Sequence, residues 1–249
     1  MLKVQVDEDE LAVRPRALFF DLDHTLYDYE APHEAALAEV RAKLQRALGV
    51  EPDRFDRFFA EAKRDVKRKL GRSASSHSRL LYFQRLLELL GMKSDVLSAL
   101  DYEQTYWRTF LTEASLFENA RETLLLVRSF GIPLVLVTDL TAQIQFRKIV
   151  YFGLDNVFDY VVTSEETGAD KPDPRIFEVA RDKAGLAAED RIWMVGDDAE
   201  KDGAGAKRCL DALFFHRHRG RLGAASGPAD VTFDRYAELA PLFSRHLGE

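Results

Sequence analysis

The sequence predicts an α/β fold: a mainly parallel sheet with helices on both faces, interrupted early by an all-helical insertion. Three observations predict it. Short apolar runs at 17–20, 132–137 and 192–195 each stop at polar residues, as strands buried on both faces do. From Leu116 onward such runs alternate with helical patterns, which implies right-handed crossovers and a mainly parallel sheet. From about Ala31 to Glu113 helical periodicity holds alone, with little sign of strand.

Taken in order, residues 1–15 read as an acidic, mobile lead-in, in which Leu2, Val4 and Val6 alternate as in a short edge strand. The run Ala17-Leu18-Phe19-Phe20 reads as the first buried strand. Leu37, Val40, Leu44 and Leu48 then form a helical stripe that ends at Gly49. Phe55, Phe58, Phe59, Ala62, Val66 and Leu70 form a second, which stops at Gly71. Residues 71–78 read as a polar loop. Helical patterns follow over 79–90, capped by Gly91, and over 94–112. Further helices are expected over 119–130, 141–152 and 174–185, the last with Pro174 in its first turn, and a short one from about Asp202. Strands are expected at 132–137, 160–162, 192–195, 212–215 and 231–233.

At 249 residues the chain can bury a sizeable core. A formal net charge of −7 argues against nucleic acid or an anionic membrane surface as a partner. No stretch reaches the roughly 20 apolar residues of a membrane span, and the opening lacks a signal peptide's apolar core. A single cysteine, Cys209, cannot form an internal disulfide or a multi-cysteine metal site, so a cytoplasmic protein is expected.

Polar residues recur just beyond strand after strand. Asp21 and Asp23 follow the first, Thr138 and Asp139 the second, Asp197 and Asp198 a later one, and Lys171 lies in the loop after a fourth. An isolated Asp-x-Asp is most often a solvated strand end. Its recurrence is informative, because ligands of open parallel sheets bind outside the carboxyl ends of the strands. A carboxylate cluster there invites a hard cation such as Mg²⁺. A lysine and a threonine add groups that hold phosphate oxygens, so the chemistry indicated is phosphoryl transfer.

The sequence Asp21-Leu22-Asp23-His24-Thr25 resembles the DxDxT motif of the haloacid dehalogenase-like hydrolases, a superfamily of aspartate-nucleophile phosphatases. Thr138 resembles the second motif, Lys171-Pro172-Asp173 the third, and Gly196-Asp197 followed by Asp202 the fourth. The order is that of the superfamily, and the resemblance spans the chain from about Arg16 onward. It implies a Rossmann-like catalytic core over 1–27 and 116–249, with 28–115 inserted as a helical cap. It also implies that Asp21 is the nucleophile, forming an aspartyl-phosphate, and Asp23 the general acid and base. Thr138, Asp139 and Lys171 would line the phosphate site. Asp21, the Asp23 backbone carbonyl and Asp197 would ligate Mg²⁺, with Asp202 and Asp198 behind them. Asp139 stands where many members carry Asn, placing an extra carboxylate beside the phosphate site.

The function expected is Mg²⁺-dependent hydrolysis of a small phosphorylated metabolite. Asp23 counts against carbon–halogen cleavage, whose enzymes typically lack that residue. A phosphomutase on the same fold and a non-catalytic binding module are the alternatives. The basic residues Lys63, Arg64, Lys67, Arg68 and Lys69 read as a solvated helix face, and the basic run at 216–221 as a surface loop. Arg72, His77 and Arg79 are candidates for substrate contact, as hinge or substrate-facing residues are Tyr27 and Tyr29. His24 reads as structural or solvent-facing, Trp107 and Trp193 as core, and Cys209 as a small buried hydrophobe.

Overall fold

A computed structural model describes residues 2–218 and 229–248. The chain divides into two units, Met1–Asp28 with Ser115–Glu249, and Tyr29–Ala114. In the first, the opening segment forms β1 (Lys3–Val4) and a short helix α1 (Glu8–Ala12), followed by β2 (Ala17–Phe20). Residues 1–15 are therefore not the loose lead-in their composition predicts. Leu11 is buried, Glu10 accepts from Arg191 at 2.8 Å, and β1 pairs with a distant strand. These tertiary partners are invisible to local pattern.

The second unit consists of α2 (Glu30–Leu48), α3 (Pro52–Leu70), a 3₁₀ turn over Ala74–His77, α4 (Arg79–Leu89) and α5 (Val96–Glu113). The stretch expected as a loop at 71–78 thus holds a turn, with Ala74 and Ser76 buried. Stacked Phe55 and Phe59 (centroids 5.7 Å apart) begin an aromatic core that runs through Phe83 and Tyr106 to Trp107 and Phe110. Arg79 lies inside it. Its guanidinium sits 5.3 Å from the Tyr82 and Tyr106 ring centroids and donates to the His77 carbonyl and the Tyr29 hydroxyl. At 8% exposure it is a buried cation packed among rings.

His33 shares this core, with Nδ1 2.5 Å from the Tyr106 hydroxyl. Burial, then the nearby Arg79 and Lys63 charges, push its pKa down to about 3 from 6.5. The unfolded chain therefore takes up a proton below pH 6.5 that the folded one refuses, so this term destabilises the fold on acidification. Discounted for partial exposure, about 1 kcal/mol is expected to go between pH 6.5 and about pH 4.5. His33→Gln should remove that slope. Melting curves of the two proteins across this range, compared as a difference, check it.

The first unit continues with α6 (Ala120–Ser129), β3 (Leu134–Thr138), α7 (Ala142–Tyr151), β4 (Tyr160–Thr163), α8 (Ser164–Thr167), α9 (Pro174–Lys183) and β5 (Ile192–Gly196). A π-helical turn over Ala199–Ala204 leads into α10 (Gly205–Cys209), where a single short helix is expected. Then come β6 (Ala212–Arg217), β7 (Val231–Phe233), a 3₁₀ turn and α11 (Leu239–Leu247). The sheet order is β1-β7-β6-β5-β2-β3-β4, parallel throughout except for β1 against β7. Strands β2, β3 and β5 are buried along their whole length, which is why they read as unbroken apolar runs.

This order decides where a site can be. From β2 the chain steps to β3 and β4 on one side, then crosses back to place β5 on the other. The direction of winding reverses at β2, so a crevice opens beyond the carboxyl ends of β2, β3 and β5. Trp107 and Trp193 are core, as expected, whereas Cys209 is half-buried at its edge. Of the basic run 216–221, His216 and Arg217 belong to β6, His218 follows it, and 219–221 lie outside the described residues. Among the described residues, no helix is long and apolar enough to cross a membrane.

Candidate active site

Asp21 is the first residue past β2. Its backbone N–H donates to the Val195 carbonyl at 2.9 Å, which fixes it between β2 and β5. Oδ2 accepts from the Thr25 hydroxyl at 2.8 Å and Oδ1 from Lys171 Nζ at 2.6 Å. The ammonium of Lys171 is fully used: it also donates to Asp202 Oδ1 at 2.7 Å and to the Val137 carbonyl at the end of β3 at 2.9 Å. One buried lysine therefore ties together the ends of β2, β3 and the segment after β5.

Gly196 ends β5 because nothing larger fits. A Cβ there would lie 2.3 Å from Asp202 Oδ2. The close approach lets Asp202, 1% exposed, reach back to the site while its Oδ2 accepts from the Asp198 N–H at 3.1 Å. Asp198 itself turns away. Its Oδ1 caps the π-helical turn, accepting from the N–H groups of Glu200 (3.0 Å) and Lys201 (2.9 Å).

Carboxylate oxygens of Asp21, Asp197 and Asp202 lie within 4.8 Å of one another. Fully ionised, the three carboxylates would exceed the Lys171 charge by two, in a space where Asp21 and Asp202 are buried and Asp197 is half-buried. Burial, only partly opposed by Lys171, raises the pKa of Asp21, and it pushes Asp202 up to about 8. An all-oxygen donor set carrying that surplus charge fits a hard divalent cation.

Thr138, at the end of β3, is 1% exposed, and Gln145 Nε2 donates to its hydroxyl at 2.5 Å. The extra carboxylate of Asp139 is paired with its neighbours. Its Oδ1 accepts from the Lys171 backbone N–H at 2.8 Å and its Oδ2 from Lys201 Nζ at 2.9 Å. Leu140 follows at φ 86°, a left-handed conformation that strains a branched side chain and sharpens the turn out of β3. Asp23 Oδ1 accepts from Lys148 Nζ at 2.7 Å and from the Tyr27 hydroxyl. Gln145 Nε2 approaches its Oδ2 at 3.3 Å. Burial works against the Asp23 charge, but these donors, led by Lys148, outweigh it and hold the pKa below the usual carboxylate range.

The structure thus gathers Asp21, Asp23, Thr138, Asp139, Lys171, Asp197 and Asp202 at one crevice and leaves Asp198 as a cap. Sequence reasoning missed Lys148, Gln145 and Lys201. Tyr27, read as a hinge or substrate-facing residue, buries its ring against Phe152. His216 and Arg217, expected in a surface loop, brace the crevice instead: His216 Nε2 meets the Asp197 carbonyl at 2.9 Å and Arg217 donates to the His24 carbonyl at 3.0 Å. His24, at φ 66°, is structural in that respect.

The profile of the haloacid dehalogenase-like hydrolases matches residues 15–209. The chain belongs to that family. Within the haloacid dehalogenase-like hydrolases it is an enzyme of the phosphatase type. It is 37% identical over 240 residues to the ribulose-1,5-bisphosphate 5-phosphatase of Halopiger xanaduensis, covering 92% of this chain and 99% of that protein. It is 31% identical over 196 residues to the glyceraldehyde 3-phosphate phosphatase of Methanopyrus kandleri, covering 78% and 80%. The magnesium-bound HAD-hydrolase YfnB of Bacillus subtilis shares the fold, with a TM-score of 0.67 at 20% identity over 95% of this chain and 100% of that one.

Proposed function

We propose that the protein hydrolyses a small sugar phosphate, with Mg²⁺, through an aspartyl-phosphate formed on Asp21. The observation that carries this reading is the Asp21–Lys171–Asp202 arrangement at the winding reversal, with Asp197 within reach of the same point. Asp21 directly follows β2, and a carboxylate needs no base to act as a nucleophile. Thr138 is suited to hold a phosphoryl oxygen, and the nearby Lys171 charge to offset that of the phosphate. Asp23 is suited to protonate the departing ester oxygen and then to take a proton from the attacking water. Asp21, Asp197 and the Asp23 carbonyl would hold the cation, with Asp202 steadying them. When bound, Mg²⁺ offsets the surplus negative charge and so lets an anionic phosphate approach an anionic nucleophile.

The sugar-phosphate class is supported by the relatives, which act on ribulose 1,5-bisphosphate and on glyceraldehyde 3-phosphate. The helical unit Tyr29–Ala114 is where we place substrate selection, in the role of a cap. A panel of three- to five-carbon sugar phosphates, assayed for inorganic phosphate with Mg²⁺ or EDTA, tests the reading. Mg²⁺-dependent release from at least one supports it. Transfer of phosphate between two positions of one sugar without release would support a mutase instead.

The Asp139–Lys201 pair gives a separate prediction. Asp139→Asn keeps an acceptor for the Lys171 N–H but removes the charge that occupies Lys201. Lys201, 40% exposed, would then lose its ion-pair partner and add positive charge beside the phosphate site. At low salt KM should fall about 3- to 10-fold, a gain of order 1 kcal/mol, with kcat little changed. An unchanged or higher KM in steady-state kinetics would refute this account of Asp139.

A further inference from the structure

We propose that Lys148 and Gln145 of α7 are positioning residues for the acid–base carboxylate, orienting Asp23 so that its Oδ2 carries the transferred proton. The proposal rests on the phosphatase reading above and adds to it the residues and the atom that the motifs do not supply.

Lys148 is entirely buried, on the face of α7 that also buries Ile144 and Ile149. An ammonium is not placed there by packing, because its desolvation is costly unless a charge partner repays it. Its partner is Asp23 Oδ1, at 2.7 Å. Gln145 lies one turn earlier on the same face, as i and i+3 residues do. Its Nε2 contacts the Thr138 hydroxyl (2.5 Å), the Asp139 carbonyl (2.8 Å) and Asp23 Oδ2 (3.3 Å). The group suited to hold phosphate and the group suited to move protons are thus fixed to one rigid helix. Helix α7 is held in turn by its terminus: Gly153, at φ 65°, donates to the Val150 carbonyl and Leu154 N–H reaches Ile149.

The two oxygens of Asp23 are not equivalent. Among the described residues, Oδ1 takes two strong donors, Lys148 and the Tyr27 hydroxyl, whereas Oδ2 has the 3.3 Å approach of Gln145. An oxygen saturated by donors has no room for a proton of its own, so the mobile proton belongs on Oδ2. Asp23 is ionised at rest, so the substrate monoanion supplies the proton. In the first step a bond forms between Asp21 and phosphorus, the ester P–O bond breaks, and the proton passes from the phosphate by way of Asp23 Oδ2 to the leaving oxygen. In the second, a water oxygen bonds to phosphorus, its proton passes to Asp23 Oδ2, and the Asp21–phosphate bond breaks. Alcohol and inorganic phosphate leave, the proton on Asp23 Oδ2 departs with the phosphate, and Asp23 is again a carboxylate.

A positioned acid matters for a poor leaving group and little for a good one, which separates this role from a structural one. Single-turnover release of the leaving group, with Mg²⁺, is measured for Lys148→Met on glycerol phosphate and on p-nitrophenyl phosphate. Release from the alkyl ester is expected to fall about 100-fold, within the range for a misplaced general acid, and release from the aryl ester far less. Lys148→Arg should recover part of the alkyl rate. Equal losses on both esters, or no loss on either, would overturn the proposal. Should Lys148→Met not fold, Tyr27→Phe and Gln145→Leu are read for the same split. Failure of the unaltered protein to release either alcohol would instead refute the phosphatase reading, so the two failures are distinguishable.

Discussion

Asp21→Asn is expected to lower phosphate release by at least about 10⁴-fold, the scale of loss when a nucleophile is removed from a covalent mechanism. The substitution preserves shape. It takes one charge out of a crowded carboxylate cluster, while Lys171 keeps its bonds to Asp202 and to the Val137 carbonyl. Melting within a few degrees of the parent protein is therefore expected, so lost activity is not lost fold. Phosphate release and thermal melting on the same preparation check both halves. Retention of more than about a hundredth of the activity would exclude Asp21 as the nucleophile.

Lys171→Met is expected to do the opposite kind of damage. It leaves two buried carboxylates, Asp21 and Asp202, without the cation between them. Breaking a buried pair from one side costs about 3–5 kcal/mol, which in a chain of this size corresponds to roughly 6–20 °C in melting temperature. The deficit should depend on pH. Carboxyls whose folded pKa is raised favour the fold while protonated, and that contribution is lost as pH rises from 3.8 towards the folded value, about 8 for Asp202 in the parent protein. The variant should thus approach the parent near pH 5 and fall furthest behind near pH 8. Added Mg²⁺ should narrow the gap at pH 8, because a divalent cation replaces part of the missing charge. Melting at both pH values, with and without Mg²⁺, reads all three effects.

The central strands were legible because burial on both faces leaves an unbroken apolar run, and β2, β3 and β5 are such strands. The carboxylates and hydroxyl that follow them were legible for a complementary reason: charges at the end of a buried strand need a shared purpose. What escaped was held by tertiary contact. Helix α1 exists around one buried leucine, and the turn after β5 is shaped by the Asp198 cap and the close contact of Gly196 with Asp202.

Helix α7 falls where it is expected, but which of its residues are buried was not legible. Its apolar Phe146, Val150 and Tyr151 are 51%, 65% and 48% exposed, whereas Gln145 and Lys148 are fully buried. Reading amphipathicity in the usual sense turns this helix the wrong way round and sends Lys148 to solvent. The available signal was the i, i+3 spacing of a glutamine and a lysine on the helix that follows Thr138. Two polar groups on one stripe, downstream of a site residue, point inward when the site supplies their partners.

The central claim, a phosphoryl group carried on Asp21, is tested most directly by trapping it. The protein is quenched during turnover of its best phosphoester with Mg²⁺ present, reduced with borohydride, and digested for mass spectrometry. An acyl phosphate is reduced to the alcohol, so homoserine should be found at position 21 and nowhere else. It should be absent without substrate. Sustained phosphate release with an unmodified residue 21, or reduction at another carboxylate, would contradict the account.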